Sequence, residues 1–149
     1  YIVDSSYNSS PIAVEIMIKE FKKLKIESKK YLVLGDMREL GEMAEQEHKN
    51  LAKYIDDSFF KVILVGKLMK KYLVPKVKAM WFGKSKGVGE CLKKKLKKGD
   101  WVLVKGSQNT IFLEQAVKEM MAEPEKAKEL LCRQSEYWES VRQKFYATR

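Results

Sequence analysis

Tyr31-Leu32-Val33-Leu34-Gly35-Asp36-Met37-Arg38-Glu39-Leu40-Gly41 is the stretch from which the fold can be read. Apolar residues follow one another without polar alternation, as in a strand covered on both faces, and such strands belong to parallel sheets. The run then breaks at a glycine into a polar loop. Four more β-rich runs flank it, at Tyr1 to Val3, Lys61 to Val65, Ala79 to Phe82 and Trp101 to Val104. Amphipathic segments lie between them. Pro11 to Leu24 follows Ser9-Ser10, begins with proline at a first-turn position, and carries Ala13, Met17, Phe21 and Leu24 on one stripe. Ala44 to Ile55 aligns Leu51 with Ile55; Gly87 to Leu96 aligns Val88, Leu92 and Leu96; Ile111 to Met121 aligns Phe112, Ala116 and Met120. Strand then helix, repeated over short connections, predicts an α/β, Rossmann-like three-layer domain. Its sheet would be mostly parallel, with five or six strands joined by right-handed crossovers.

After Met121 the character changes. Ala122-Glu123-Pro124 breaks the helix, and Glu125 to Phe145 reads as one or two charged helices. Leu130, Leu131, Gln134, Trp138, Val141 and Phe145 form its apolar stripe. The expected division is therefore 1–122 for the α/β domain and 123–149 for a helical C-terminal extension that packs back on the domain or against a partner.

A chain of 149 residues holds about one domain, so two independent enzymatic domains do not fit. With 45% hydrophobic residues it has the material for a core, which excludes a disordered tail. Lys and Arg number 30 against 20 Asp and Glu, and the net charge of +10 favours anionic partners: nucleotides, nucleic acid or acidic metabolites. Cys91 and Cys132 stand far apart with no CxxC spacing, and His48 is the only histidine. This argues against a zinc site or disulfide framework and for a reducing, cytoplasmic setting. No apolar stretch approaches the roughly 18 residues of a membrane span. Tyr1 is not an initiator methionine and opens directly into a strand, so the chain is expected to be a piece of a longer protein.

In open parallel sheets, ligands bind beyond the carboxyl ends of the strands. The segments there are Asp4-Ser5-Ser6-Tyr7-Asn8-Ser9-Ser10-Pro11, the loop from Gly35 to Gly41, Gly66-Lys67, Gly83-Lys84-Ser85 and Lys105-Gly106-Ser107-Gln108-Asn109. The first, second and fifth are the candidates for binding; the third and fourth read as turns. Glycine allows close backbone approach, and lysine or loop amides can hold anions. Gly83-Lys84-Ser85 ends like a phosphate-binding loop, yet Lys78 stands where that motif requires glycine, and Gly87-Val88-Gly89 lacks the third glycine of a dinucleotide fingerprint. No Ser/His/Asp set exists, and His48 reads as a capping or surface hydrogen-bonding residue. The run Cys91-Leu92-Lys93-Lys94-Lys95-Leu96-Lys97-Lys98 reads as a solvated helix end, because no aromatic residue interleaves with it. Trp81 and Trp101 lie in strands and read as core.

Taken together, Asp4 to Pro11, Leu34 to Gly41 followed by Glu47-His48, and Val102 to Ser107 resemble the C-terminal domain of the Mur ligases over about residues 1 to 121. Ser5, Ser9 and Ser10 depart from the first motif, and Gln108-Asn109 follows Ser107 where the family commonly has Arg-Gly. The resemblance implies a three-domain enzyme of peptidoglycan synthesis whose N-terminal and central domains are absent here. ATP phosphorylates the terminal carboxylate of a UDP-N-acetylmuramoyl peptide, and the amine of the acceptor attacks the acyl phosphate. The motifs lie nearest to members that add D-alanyl-D-alanine to the tripeptide. The phosphate-binding loop, the magnesium ligands and a modified lysine belong to the central domain, so ATP and Mg2+ are bound mainly there, and no catalytic base or metal ligand is expected here. The resemblance implies that Asp4 accepts from the ATP ribose hydroxyls and that Tyr7 and Asn8 line the nucleotide side of the cleft. Asp36 and Arg38 border the dipeptide pocket, and Lys105, Gly106 and Ser107 hold the substrate carboxylate or developing charge. Two alternatives stay open: a Mur-type ligase for another amino-acid acceptor, and a non-catalytic basic α/β module binding nucleic acid or another anionic partner.

Overall fold

The computed structural model describes residues 1–108 and 111–148; Asn109 of the fifth loop lies outside them. Among these residues, five strands form one sheet: β1 (Ile2–Ser5), β2 (Lys30–Gly35), β3 (Lys61–Val65), β4 (Met80–Phe82) and β5 (Trp101–Lys105). Every neighbouring pair is parallel, and the order is β1-β5-β2-β3-β4. The nearly unbroken apolar runs of β2, β3 and β5 are buried because helices cover both faces.

Helix α1 (Pro11–Lys23) starts as expected, with Pro11 in its first turn and the Ser10 side chain accepting from the Ala13 amide at 3.3 Å. Its buried face is Val14, Ile18 and Phe21, one position on from the expected stripe. Ala13 and Met17 are half-buried flanks and Leu24 is exposed. The larger Val14 and Ile18 side chains bury more apolar area than Ala13 can, and Phe21 serves either register.

Helices α2 (Ala44–Asn50), α3 (Val88–Lys93) and α4 (Glu114–Met120) are shorter than their sequence patterns. A 3-10 turn, Leu51–Tyr54, continues α2, and Phe112 at φ +49° cannot begin a right-handed helix, so α4 starts after it. At Gly89 a β-carbon would stand 2.2 Å from the Ala116 carbonyl oxygen, so only glycine permits α3 and α4 to cross this closely. The lysines at 93 to 95, 97 and 98 are exposed, as a solvated helix end requires. Of the two tryptophans only Trp81 departs from the core reading, since Trp101 packs against the core as a partly buried residue. Trp81 is 36% exposed, being on the edge strand β4, and Trp101 lies half-buried at the start of β5, stacked on Tyr1 with ring centroids 4.6 Å apart.

The extension contains α5 (Ala127–Leu130) and α6 (Glu136–Ala147), and it folds back onto the sheet domain. Phe112 meets Trp138 and Phe145 edge-on, at 6.4 and 5.5 Å. Leu130, expected on the inward stripe, is instead 66% exposed, and the buried residue of α6 is Arg142 rather than its neighbour Val141. Arg142 turns inward because a buried carboxylate, Glu114, awaits it.

Candidate functional site

Because all five strands run the same way, their carboxyl ends share one rim. Strand β5 lies between β1 and β2, pairing Lys105 with Ser5 on one side and with Leu34 on the other. The first, second and fifth loops are therefore contiguous, as the sequence motifs require.

In the first loop Asp4, Tyr7 and Asn8 face solvent, while Ser6 and Ser9 are buried. The backbone is shaped locally: Asp4 Oδ1 accepts from the Ser6 amide at 2.9 Å, and Asn8 Oδ1 from the Ser9 amide at 2.7 Å. Lys105 is turned inward. It is 3% exposed, donates to the Ser5 and Asn8 carbonyls, and burial pulls its pKa below the ordinary lysine value. Ser107 is buried, and a β-carbon at Gly106 would lie 2.7 Å from Leu113 Cδ1, so close packing rather than turn conformation accounts for that glycine.

Asp36, at the end of β2, is also buried. Its Oδ1 accepts from the Met69 amide at 2.7 Å and its Oδ2 from the Leu68 amide at 3.1 Å. Burial raises its pKa, against the lowering effect of those amides and of His48. Gly66 faces this carboxyl at φ +110°, where a β-carbon would lie 2.4 Å from it. His48 does form hydrogen bonds, but from the interior rather than the surface. Its Nε2 accepts from the Met37 amide at 3.0 Å and its Nδ1 donates to the Ala44 carbonyl at 2.6 Å, while burial lowers its pKa. The second loop is thus held at Asp36 by the third and at Met37 by α2.

Arg38 is exposed beyond this anchored pair and borders a cavity of about 770 Å³. The cavity runs from the second loop past Lys67, Trp81 and Lys84 to Phe145 and Thr148 at the end of α6. The turn reading of the third and fourth loops missed Lys67 and Lys84; the signal available was a lysine next to each rim glycine. Lys84 also donates to the Phe145 carbonyl at 2.9 Å and to those of Tyr146 and Thr148, and Ser85 Oγ lies 2.7 Å from the Tyr146 hydroxyl. Another cavity, of about 510 Å³, lies by the amino ends of β3 and β4 among Asp56, Lys61 and Lys76, away from all the candidates. Among the described residues no three His, Cys, Asp or Glu side chains gather to hold a metal ion, and no helix is long and apolar enough to cross a membrane.

Sequence reasoning also missed a buried cluster beside the first loop. Glu114 is fully buried and receives Arg133 Nε at 3.0 Å, Arg133 Nη2 at 3.1 Å and Arg142 Nη1 at 3.5 Å. A glutamate inside an otherwise apolar helix face was the available signal.

A family model described as "Mur ligase, glutamate ligase domain" matches residues 1–108. The chain belongs to the Mur ligase family. Among curated Mur ligase relatives, the UDP-N-acetylmuramoyl-tripeptide--D-alanyl-D-alanine ligase of Bacillus subtilis (strain 168) is 32% identical over 132 residues, covering 83% of this chain and 28% of the relative. The protein of the same name from Borreliella burgdorferi is 41% identical over 69 residues, 44% of this chain and 14% of its own length. Of solved structures, the MurF ligase of Thermotoga maritima in complex with ADP superposes with a TM-score of 0.68 at 25% identity, covering 87% of this chain and 29% of that one. MurF from Acinetobacter baumannii superposes with a TM-score of 0.65 at 17% identity, over 80% of this chain and 27% of that one, which shows the shared fold alone. The chain therefore spans less than a third of the length of these Mur ligase relatives.

Proposed function

We propose that this chain is the C-terminal domain of an ATP-dependent ligase that joins D-alanyl-D-alanine to a UDP-N-acetylmuramoyl tripeptide through an acyl phosphate. The carrying observation is the placement of β5 between β1 and β2, which gathers the three motif loops on one rim. The Bacillus subtilis relative, which matches 83% of the chain, bears the name of that activity, and the Thermotoga maritima MurF ligase was solved in complex with ADP.

In this reading Asp4, exposed and bonded through Oδ1 to one amide, accepts from the ATP ribose, and Tyr7 and Asn8 line the nucleotide side of the closed cleft. The cavity bordered by Asp36 and Arg38 takes the dipeptide. Lys105 lies beneath the first loop with Ser107 buried two residues on, and the lysine's buried charge supplies positive potential for the substrate carboxylate or the charge that develops on it. These groups bind and orient; the nucleophile is the acceptor's own amine. The magnesium ion and the main phosphate-binding elements belong to the central domain of the parent protein, onto which this domain closes. The isolated domain is inactive, and the reaction is cytoplasmic, where ATP and the nucleotide-linked precursor are present.

The experiment is steady-state kinetics on the full-length enzyme carrying Asp4→Ala or Lys105→Ala. A raised ATP KM for the first and a lowered kcat/KM for the second are expected. Wild-type Michaelis constants and turnover in both variants would sink the assignment.

A further inference from the structure

Four consecutive carbonyls of the first loop, Ser5 to Asn8, are all taken by two buried cations. Lys105 reaches the outer pair, Ser5 and Asn8. Arg133 reaches the inner pair, donating from Nη2 to Ser6 at 2.8 Å and from Nη1 to Tyr7 at 3.3 Å. Arg133 lies far along the chain, between α5 and α6, and is itself closely held. Its Nε and Nη2 form a fork with the buried Glu114 carboxylate, its guanidinium carbon lies 5.3 Å from the centre of the Tyr7 ring, and its carbonyl accepts from Arg142 Nη1 at 2.5 Å. The residue adopts φ +55°, a conformation that costs about 1 kcal/mol or more outside glycine and persists only when the surroundings impose it.

Holding a loop by its carbonyls leaves its side chains free to face outward. That is the arrangement found: the backbone from Ser5 to Asn8 is gripped from within, while Asp4, Tyr7 and Asn8 stand in solvent. We propose that Arg133 is a positioning residue for the nucleotide, presenting Asp4, Tyr7 and Asn8 to ATP in one fixed arrangement by clamping the Ser6 and Tyr7 carbonyls. This rests on the reading of the first loop as the nucleotide side of the cleft. The helical extension is then part of the site rather than an appendage. A flexible loop would have to be ordered each time ATP binds; a clamped one has met that entropic cost during folding.

The test uses the full-length enzyme with Arg133→Gln and Arg133→Lys. In both variants Arg142 still faces Glu114, so the buried carboxylate keeps a cationic partner. Lysine restores the charge but cannot span a carboxylate and two carbonyls as a guanidinium fork does. Both variants should raise the ATP KM about tenfold while acceptor KM and kcat at saturating ATP stay within about twofold. Lysine should recover thermal stability but not the ATP KM. A merely structural role predicts the opposite pattern: activity lost in proportion to folded protein, with ATP KM unchanged, and lysine restoring both. If the glutamine variant does not fold, the lysine variant decides alone, and an ATP KM within about twofold of wild type overturns the proposal. Asp4→Ala separates the two levels. Should it leave the ATP KM unchanged, the underlying reading fails; should it raise the KM while the Arg133 variants do not, only the positioning role fails.

Discussion

The Met37 amide donates to His48 Nε2 at 3.0 Å, and the same imidazole donates from Nδ1 to the Ala44 carbonyl at 2.6 Å. One neutral side chain thus ties the second loop to α2, and the Met37 bond requires an unprotonated Nε2.

Acid should therefore weaken the domain through this residue. Burial holds the folded-state pKa of His48 below its ordinary 6.5, so between the two values the unfolded chain binds more protons. The stability this group contributes is complete above pH 6.5 and falls as pH drops through the folded value. Asp36, raised by burial, acts in the opposite sense, losing stability as pH rises through its folded value. Urea unfolding of wild type and His48→Gln at a series of pH values checks this. The variant should be less stable by about 1 to 2 kcal/mol at pH 7.5, and the gap should narrow on acidification. A gap independent of pH would refute it.

At Gly66 the positive φ and the Asp36 carboxyl both exclude a side chain. Gly66→Ala should cost about 2 to 4 kcal/mol, combining backbone strain with disturbance of the amides that Asp36 accepts from. Chemical denaturation measures this, and a wild-type midpoint would show that the third loop does not need glycine there.

Removing the carboxylate between two buried arginines should be worse. Glu114→Ala leaves Arg133 and Arg142 without their shared anion and should destabilise by about 3 to 5 kcal/mol. Thermal melts would show it as a fall in Tm well beyond that of an exposed control such as Glu20→Ala, whose partner Lys23 is also solvent-facing. Equal shifts for the two variants would contradict the assignment of this cluster as a buried anchor.

The end of α6 carries a spectroscopic marker. Burial pushes the Tyr146 phenol up to about 12, against the lowering effect of its hydrogen bond with Ser85. With its folded pKa above the ordinary 10.0, its contribution to stability is present below pH 10 and is lost as pH rises toward 12. Ultraviolet titration should show a phenol ionising near pH 12, after the exposed ones, and Tyr146→Phe should remove that last step. Persistence of the late step in Tyr146→Phe would assign it to another residue, such as the buried Tyr31.

Much of the fold was legible because its signals are local. An unbroken apolar run such as Leu32 to Leu34 cannot stand half in water, and Ser10-Pro11 starts a helix through bonds within one turn. Helix ends were less legible: α4 begins late because Phe112 takes a left-handed conformation beneath α6, a demand no periodicity announces. For the site, the motif loops could be read residue by residue, since turns need particular residue types. The direction each side chain takes could not. Lys105 reads as a rim cation for an anionic ligand, yet it points inward, where the Ser5 and Asn8 carbonyls of the neighbouring loop accept from it.

Composition and pattern alone determined that this chain folds as parallel α/β layers with polar loops at the strand ends, since burial of continuous apolar runs admits few other solutions. Only the tertiary structure decided that β5 lies between β1 and β2, and so which loops adjoin. Crossover connections leave strand order open until helices pack on the two faces. Tertiary packing also decided that Arg133, from the far end of the chain, completes the first loop: a buried carbonyl requires a donor but does not specify where in the sequence that donor originates.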